Sequence, residues 1–303
     1  MHPVMECVLG GLSTSCACFF SNPLEVIKTR MQLQGELQGR GTYKVHYRNV
    51  FHAFYTVGKV DGLAALQKGL VPGLYYQVVM NGLRLGCYQI MTNAGLTKNP
   101  DGSLNYIHCI LAGATSGCIG AFFGSPMYMM KTQLQAEASN TIAVGTQHHH
   151  KGFLNALRTV VAKHGILGLW RGVTGAMPRV TIGSAAQLSS FSKAKEEIVN
   201  RKIFKENSIF IPLSASMIGS LFVVVAMTPF DVVSTRLYNQ AVTADGRGLL
   251  YSGFIDCLYK IFRKEGLIGF YKGIGASYFR LGPHTILSLV FWDKLRSFYI
   301  SNF

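Results

Sequence analysis

Residues 23–30 have the sequence PLEVIKTR, a proline followed by an acid two positions later and a base three positions after that. The same arrangement, with some substitutions, returns at residues 126–133 (PMYMMKTQ) and 229–236 (PFDVVSTR), so the three prolines are spaced 103 residues apart. A fixed spacing of this kind indicates that the chain contains copies of one unit. Each unit is longer than the roughly 20–50 residues of a solenoid repeat and must contain more than one helical hairpin.

A second marker follows the first in the same register. Residues 61–69, 164–172 and 265–273 each begin with an acid or a histidine before a glycine, and each end with a base before a glycine. Two independent markers predict three copies of about a hundred residues each. The predicted copies are residues 1–98, 99–204 and 205–303.

The composition favours a membrane protein. Hydrophobic residues make up 49% of the 303 residues and charged residues 14%, yet the net charge is +15. Few charges with a strong basic excess suit a membrane protein that has basic loops and an anionic partner. Nucleic acid is not expected as that partner, because no basic helix, zinc pattern or aromatic RNA-binding motif appears. The seven cysteines show no paired spacing that would indicate a disulfide framework.

Long uncharged runs accompany the three prolines. Cys7–Leu24, Ile107–Met130 and Ile209–Phe230 are each long enough to cross a hydrocarbon core of about 30 Å as a helix. The proline near the end of each run predicts a kink rather than a helix end. A second apolar segment closes each copy, and these segments are Pro72–Met91, Thr174–Phe191 and Ala276–Trp292.

A short amphipathic stretch of about a dozen residues lies between the two apolar segments of each copy, at Asn49–Val60, Phe153–Lys163 and Phe254–Lys264. These stretches are too short to span a bilayer and are predicted to lie along its surface. The sequence therefore predicts an all-α membrane protein with six transmembrane helices in three pseudo-symmetric repeats, each with one short surface helix. An even number of spans places both termini on the same side.

Each closing apolar segment contains one arginine: Arg84, Arg179 and Arg280. An arginine at bilayer depth costs about 2.5 kcal/mol or more, so such residues usually face a bundle interior or a watery cavity. Threefold pseudo-symmetry would bring the three guanidinium groups to one cavity, where they could bind a small di-anion bidentately. The alternative is that each arginine extends to a lipid headgroup or satisfies the carbonyls of a kinked helix.

The triplicated proline–acid–base pattern, the base–glycine blocks and the six predicted helices resemble the mitochondrial carrier family (solute carrier family 25) over nearly the whole chain. Residues 83–88 (LRLGCY) resemble its dicarboxylate, oxoglutarate and uncoupling-protein branch. Residues 178–188 (PRVTIGSAAQL) and 279–285 (FRLGPHT) are most similar to the oxaloacetate/sulfate-carrier branch, especially its orphan members 34 and 35. The resemblance implies a transporter and not an enzyme.

The resemblance also implies a ring of polar pairs, following the three prolines, that closes the matrix side of the carrier. Glutamines brace such pairs in the family, and Gln32 and Gln135 match them. The implied pairs are Glu25 with Lys131, Asp231 with Lys28, and the uncharged Tyr128 with Ser234.

The opposite, cytoplasmic gate is expected to be weaker, because none of its implied pairs joins two opposite charges. We infer that the matrix-open state is the less stable one without substrate, since the relative energies of the gates set the populations. The implied cytoplasmic pairs are Gln89 with Lys195, Ser192 with Arg296, and Asp293 with Thr92.

Substrate contacts are implied at Tyr76, Gln77 and Val180, in addition to Arg179 and Arg280. No cofactor or metal is expected, because residues 148–150 form a histidine run in a loop without an acid or cysteine partner nearby. Cardiolipin is the expected bound lipid. The helix starts near Tyr47 and Tyr251, together with the base–glycine pairs at 68–69, 171–172 and 272–273, resemble the family's cardiolipin sites.

The predicted protein is a monomeric, multi-pass carrier of the mitochondrial inner membrane with both termini in the intermembrane space. It would exchange small di-anions by alternating access: dicarboxylates such as oxaloacetate and malonate, and sulfur oxoanions such as sulfate and thiosulfate. One alternative is a proton-leak carrier of the uncoupling type, although Gln187 replaces the acid that helps to regulate nucleotide binding in that branch. A basic membrane scaffold that transports nothing is another, but it would leave the intramembrane arginines unexplained.

Overall fold

The computed structural model describes residues 3–39, 41–99, 105–202, 204, 208, 210–243 and 246–302, with the backbone alone at 3–8, 188, 300 and 302. The predicted copy boundaries at residues 1, 205 and 303, and the predicted span start at Ile209, lie outside these residues.

The described chain folds into nine α-helices, six of 24–31 residues and three of 11 or 12 residues, and contains no β-strand. A single turn of 3₁₀-helix follows each short helix. In chain order the helices are α1 (Pro3–Leu33), α2 (Val50–Val60), α3 (Leu70–Asn93), α4 (Tyr106–Ala136), α5 (Phe153–His164), α6 (Val173–Asn200), α7 (Phe210–Asn239), α8 (Phe254–Glu265) and α9 (Ile274–Asn302).

The three marker prolines lie inside helices, as their position within apolar runs predicts. Pro23, Pro126 and Pro229 belong to α1, α4 and α7, and each helix continues for ten residues beyond its proline. The short helices α2, α5 and α8 begin and end within one residue of the predicted stretches. Asn49 precedes α2 rather than opening it, because its side chain caps the helix by accepting a hydrogen bond from the His52 amide.

Two of the closing helices are longer than predicted. The apolar segments end at Phe191 and Trp292, but α6 and α9 continue to Asn200 and Asn302. In α6 the additional turns are rich in lysine and glutamate, which favour helix, and Arg201 bonds Glu197 one turn earlier at 2.6 Å. Hydropathy therefore indicates where the apolar part of a helix stops rather than where the helix stops.

The six long helices contact one another in a closed ring that follows chain order: α1, α3, α4, α6, α7, α9 and back to α1. Helices α1, α4 and α7 also contact each other. Their C-terminal turns are almost continuously buried, and they pack with the three short helices into three separate apolar clusters. We call this the narrow end of the ring.

The outer surface of the ring is apolar. Phe20, Phe123 and Phe222 are 60%, 55% and 60% exposed, among many exposed large apolar side chains, and large exposed apolar surfaces mark contacts with a membrane or another protein. By length and composition, α4 and α7 could each cross a membrane. An apolar exterior around a polar interior favours a lipid environment for this ring.

Candidate functional site

A cavity of about 180 Å³ lies inside the ring, next to the narrow end, and receives side chains from all six long helices. A guanidinium group reaches it from each closing helix, α3, α6 and α9. The structure therefore brings all six predicted substrate contacts to one place. They are Tyr76, Gln77, Arg84, Arg179, Val180 and Arg280.

Glu25 of α1 is shared by two basic side chains at the floor of the cavity. It pairs with Lys131 of α4, the partner that the family resemblance implies. Its Oε1 also accepts a hydrogen bond of 3.3 Å from the Arg280 guanidinium of α9. Because Glu25 is 7% exposed, these two cations replace the water that its carboxylate would otherwise bind.

Asp231 of α7 repeats this arrangement on the next side of the ring. It pairs with Lys28 of α1, again the implied partner, and Arg179 Nε of α6 lies 4.0 Å from its second oxygen. Gln32 Nε2 donates to Asp231 at 3.3 Å. No acid lies close to the cavity arginines along the chain, but in space Arg179 approaches an acid on the neighbouring helix. Two features could have predicted this approach of Arg179 to Asp231: α7 follows α6 around the ring, and α7 carries its acid two residues after the proline.

The third side of the floor is aromatic. The implied hydrogen bond between Tyr128 and Ser234 is not formed, since Ser234 Oγ is buried without a hydrogen-bond partner among the described residues. The Tyr128 ring packs between those of Tyr76 and Tyr238, with 5.1 Å between ring centres in each case. The Arg179 guanidinium lies 4.8 Å from the Tyr128 ring centre. Tilted aromatic packing and a cation–π contact thus replace an ion pair here.

Arg84 stands apart from the other two arginines. It forms no hydrogen bond or ion pair with a described residue, and it lies eight residues beyond Tyr76, which is the residue that matches Arg179 and Arg280 in the repeat register. Its site thus holds five bases against two acids, an excess of three positive charges. The bases are Lys28, Lys131, Arg84, Arg179 and Arg280, and the acids are Glu25 and Asp231.

The two predicted brace glutamines have different contacts. Gln32, besides bonding the acid above it, accepts a hydrogen bond of 2.8 Å from Thr235. Gln135 accepts from Thr29 at 3.0 Å and donates to Asn22 at 3.2 Å, so it joins α4 to α1 without bonding either member of the neighbouring ion pair. Both glutamines nevertheless connect α1, α4 and α7 at the narrow end.

The predicted cytoplasmic residues, at the opposite end of the ring, form no ion pair with one another within the described chain. Gln89 donates to Asn93 and Thr92 donates to Tyr88, in each case one turn away in the same helix. Arg296 lies against the Trp292 ring, 5.1 Å from its centre. The exposed residues of this set are Gln89, Ser192, Lys195 and Asp293. The ring is therefore closed by ion pairs at its narrow end and not at the other.

Comparison with known proteins gives the following similarities. The family model described as mitochondrial carrier protein matches residues 1–99, 102–202 and 205–303. Solute carrier family 25 member 35 of Mus musculus is 56% identical over 97% of this chain and 98% of its own length. The mitochondrial oxaloacetate transport protein of Saccharomyces cerevisiae is 40% identical over 95% and 87%, respectively. The mitochondrial citrate transporter E of Aspergillus niger is 36% identical over 93% and 89%.

Proposed function

Because the chain belongs to the mitochondrial carrier protein family, we propose that it exchanges small di-anions across the mitochondrial inner membrane by alternating access. Membership confirms the resemblance in the sequence, including that to member 35, and makes the protein a transporter rather than an enzyme. It also implies a multi-pass protein of the mitochondrial inner membrane. The proposed substrates are dicarboxylates such as oxaloacetate and malonate, and sulfur oxoanions such as sulfate and thiosulfate.

The excess of three positive charges in the cavity carries this proposal. Arg84 forms no ion pair with an acid among the described residues, so one carboxylate of a substrate can pair with it, and Arg179 and Arg280 line the same cavity for the other. The Nε groups of Arg179 and Arg280 are buried without hydrogen-bond partners among the described residues, which leaves donors for a ligand. At about 180 Å³ the cavity is below the roughly 300–1,000 Å³ of sites for drug-sized ligands, which favours a small anion over a nucleotide.

The shared acids provide a route by which substrate binding opens the narrow end. When Lys131 leaves Glu25, the acid keeps its bond to Arg280, so its charge remains compensated. The departing lysine also lines the cavity and can pair with the anionic substrate. Without substrate the lysine would be left buried and unpaired, at a cost of about 3–5 kcal/mol. Opening would then require an anion in each direction, which is exchange rather than uniport.

The remaining elements of the proposal concern the setting of the ring. We place all six long helices across the membrane, with the narrow end and the short helices at the matrix and both termini in the intermembrane space. A closed ring needs no second subunit, so we propose a monomer. We propose cardiolipin as the bound lipid at the base–glycine pairs, where backbone N–H groups at helix starts favour phosphate.

Uptake of labelled malonate and labelled sulfate into proteoliposomes tests the proposal. We expect uptake that depends on an internal dicarboxylate and is absent from protein-free liposomes. Fatty-acid-activated proton flux in the same liposomes, without anion exchange, would instead identify the proton-leak alternative and contradict the proposal. Uptake that is independent of internal anion would contradict exchange.

A further inference from the structure

The first and third repeats each contain a buried ion pair at the narrow end, outside the central cavity. In the first, Arg30 Nη1 of α1 lies 2.7 Å from Asp61 Oδ2, just after α2. In the third, Arg236 Nη1 of α7 lies 2.5 Å from Glu265 Oε1, at the end of α8. Both arginines are fully buried. These pairs fasten each proline-containing helix to the short helix of its own repeat.

The second repeat has lost both partners of this pair. The corresponding positions hold Gln133 and His164. Gln133 keeps a contact to the next helix, donating to the Tyr238 carbonyl at 3.2 Å, and its Oε1 lies 3.0 Å from His150 Nε2. It forms no bond to His164, whose Nδ1 is buried without a hydrogen-bond partner among the described residues.

The base that follows each short helix also differs in the second repeat. Lys68 donates to the Glu137 carbonyl at 3.2 Å, and Lys272 donates to the Gln34 carbonyl at 2.8 Å. Their counterpart Arg171 has its Nη1 buried without a hydrogen-bond partner in the described part of the chain. A guanidinium nitrogen in this state has lost its water and gained no acceptor, which is destabilising unless a ligand supplies one.

These changes surround a cavity of about 550 Å³ that is lined by residues of α4 and α5, by Arg171 just before α6, and by the loop residues 146–148, 150 and 241–242. It shares no lining residue with the central cavity, and no described acid lines it. Its titratable lining residues are His148, His150, Lys163, His164 and Arg171.

We propose that this cavity is a second anion site, which binds a small tetrahedral oxyanion of the phosphate or sulfate class. Arg171, just before α6, and Lys163 and His164, at the end of α5, line this cavity, and a tetrahedral ion offers oxygens in several directions where a planar carboxylate does not. The bound oxyanion supplies the negative charge that an acid at position 164 would otherwise supply. The site does not depend on which anion the central cavity transports.

The histidines make anion binding at this site depend on pH. Burial, with His148 and Lys163 nearby, lowers the pKa of His150 to about 4, and burial likewise holds the pKa values of His148 and His164 below the usual range. They are neutral at pH 7 in the empty site, and a bound anion raises their pKa values. Binding therefore takes up protons and strengthens as pH falls. The charged and titratable groups that face these histidines are Glu137, His149, Lys163 and Arg171.

Fluorescence of Trp170 gives a local measurement, because it directly precedes Arg171 and Trp292 is the other of two tryptophans. In a Trp292→Phe background, titration with sodium sulfate should give a saturable change in emission. Sulfate keeps its charge between about pH 6 and pH 8, so tighter binding at the lower pH reports on the protein. We expect Arg171→Gln to weaken the response about tenfold or more.

Further variants separate this site from its alternatives. Lys163→Gln should weaken sulfate binding, whereas Lys264→Gln, at the matching position of α8, should leave it unchanged. The double variant Gln133→Arg with His164→Asp rebuilds the ion pair of the other repeats. It should remain folded and abolish the response.

Two comparisons distinguish a free oxyanion from a lipid headgroup, and binding in this cavity from binding in the central cavity. A response to cardiolipin vesicles but not to sulfate or phosphatidylcholine vesicles, lost in Arg171→Gln, would assign the site to a lipid headgroup. An Arg84→Gln protein should respond to sulfate like the background protein, since Arg84 lies in the central cavity. No response to either probe, a response that survives Arg171→Gln, or one lost in Arg84→Gln would overturn the proposal.

Discussion

Replacing Arg84 with glutamine removes the unpaired guanidinium of the central cavity, and we expect it to weaken substrate binding without weakening the fold. Arg84 has no acid partner among the described residues, so its loss leaves no carboxylate stranded. It also relieves repulsion from the other cavity cations. Arg280→Gln is the informative comparison, because Arg280 bonds the buried Glu25 at 3.3 Å.

The expected magnitudes follow from these contacts. A hydrogen bond to a charged group contributes about 1.5–3 kcal/mol. Since 1.4 kcal/mol corresponds to a factor of ten, the KM for the anion should rise about tenfold to a hundredfold in Arg84→Gln. Arg280→Gln should show a similar loss of transport together with a loss of about 1–3 kcal/mol of stability, because Glu25 retains Lys131 but loses one of its two cations.

Initial rates of labelled malonate uptake over a range of concentrations, with thermal unfolding of the same preparations, measure both quantities. Arg201→Gln is the matched control: Arg201 is an exposed arginine that bonds Glu197 on its own helix, and its loss should change neither quantity appreciably. An unchanged KM in Arg84→Gln would refute the assignment of Arg84 to the substrate. A stability loss in Arg84→Gln as large as that in Arg280→Gln would refute the view that Arg84 is unpaired.

Two other features of the narrow end give testable outcomes. Tyr128→Glu with Ser234→Lys adds a third ion pair to the floor, which must break in every cycle, so exchange should slow at least about tenfold; an unchanged rate would contradict the gate assignment. Burial alone would raise the pKa of Glu265, but hydrogen bonds from Arg236 and Lys272 outweigh it and hold that pKa below its usual range. The stability that this pair provides should therefore be lost as pH falls from about 4.3 through the lowered pKa. Arg236→Gln should cost about 1.5–3 kcal/mol at neutral pH, because Glu265 retains Lys272, and should flatten the pH dependence, as melting temperatures would show.

The helices could be predicted because each has a local mark in the sequence. Uncharged runs around Pro23, Pro126 and Pro229 gave the proline-containing helices, and apolar positions at helical spacing gave the short ones. The two ion pairs of the floor followed from the family resemblance, because cyclic pairing in a threefold ring joins positions that are far apart in the chain. Predicting such pairs requires only the correct register of the repeats and no knowledge of side-chain conformation.

The finer chemistry of the floor could not be predicted in this way. Whether Arg280 reaches Glu25 depends on the relative heights of α9 and α1 along the ring axis, which no sequence pattern encodes. Tyr128 could equally have bonded Ser234 or packed against its aromatic neighbours, and packing in three dimensions decides between these. The replacement of the arginine–acid pair by Gln133 and His164 is visible in the sequence, but the cavity beside these residues is not.

The second repeat departs from threefold symmetry at Tyr128, Gln133 and His164, and the first and last of these replace acids. Two guanidinium groups have no carboxylate partner among the described residues: Arg84, which lines the central cavity, and Arg171, which lines the second cavity with His164 and whose counterpart Lys272 is 2.6 Å from Glu265. A protein acid at either place would occupy the cation permanently, and an anionic ligand would have to displace it. An unpaired cation is costly when buried, but it binds an arriving anion without first breaking an existing pair. The symmetric ion pairs thus join the helices of the ring, and the unpaired guanidinium groups are where we propose that this chain binds anions.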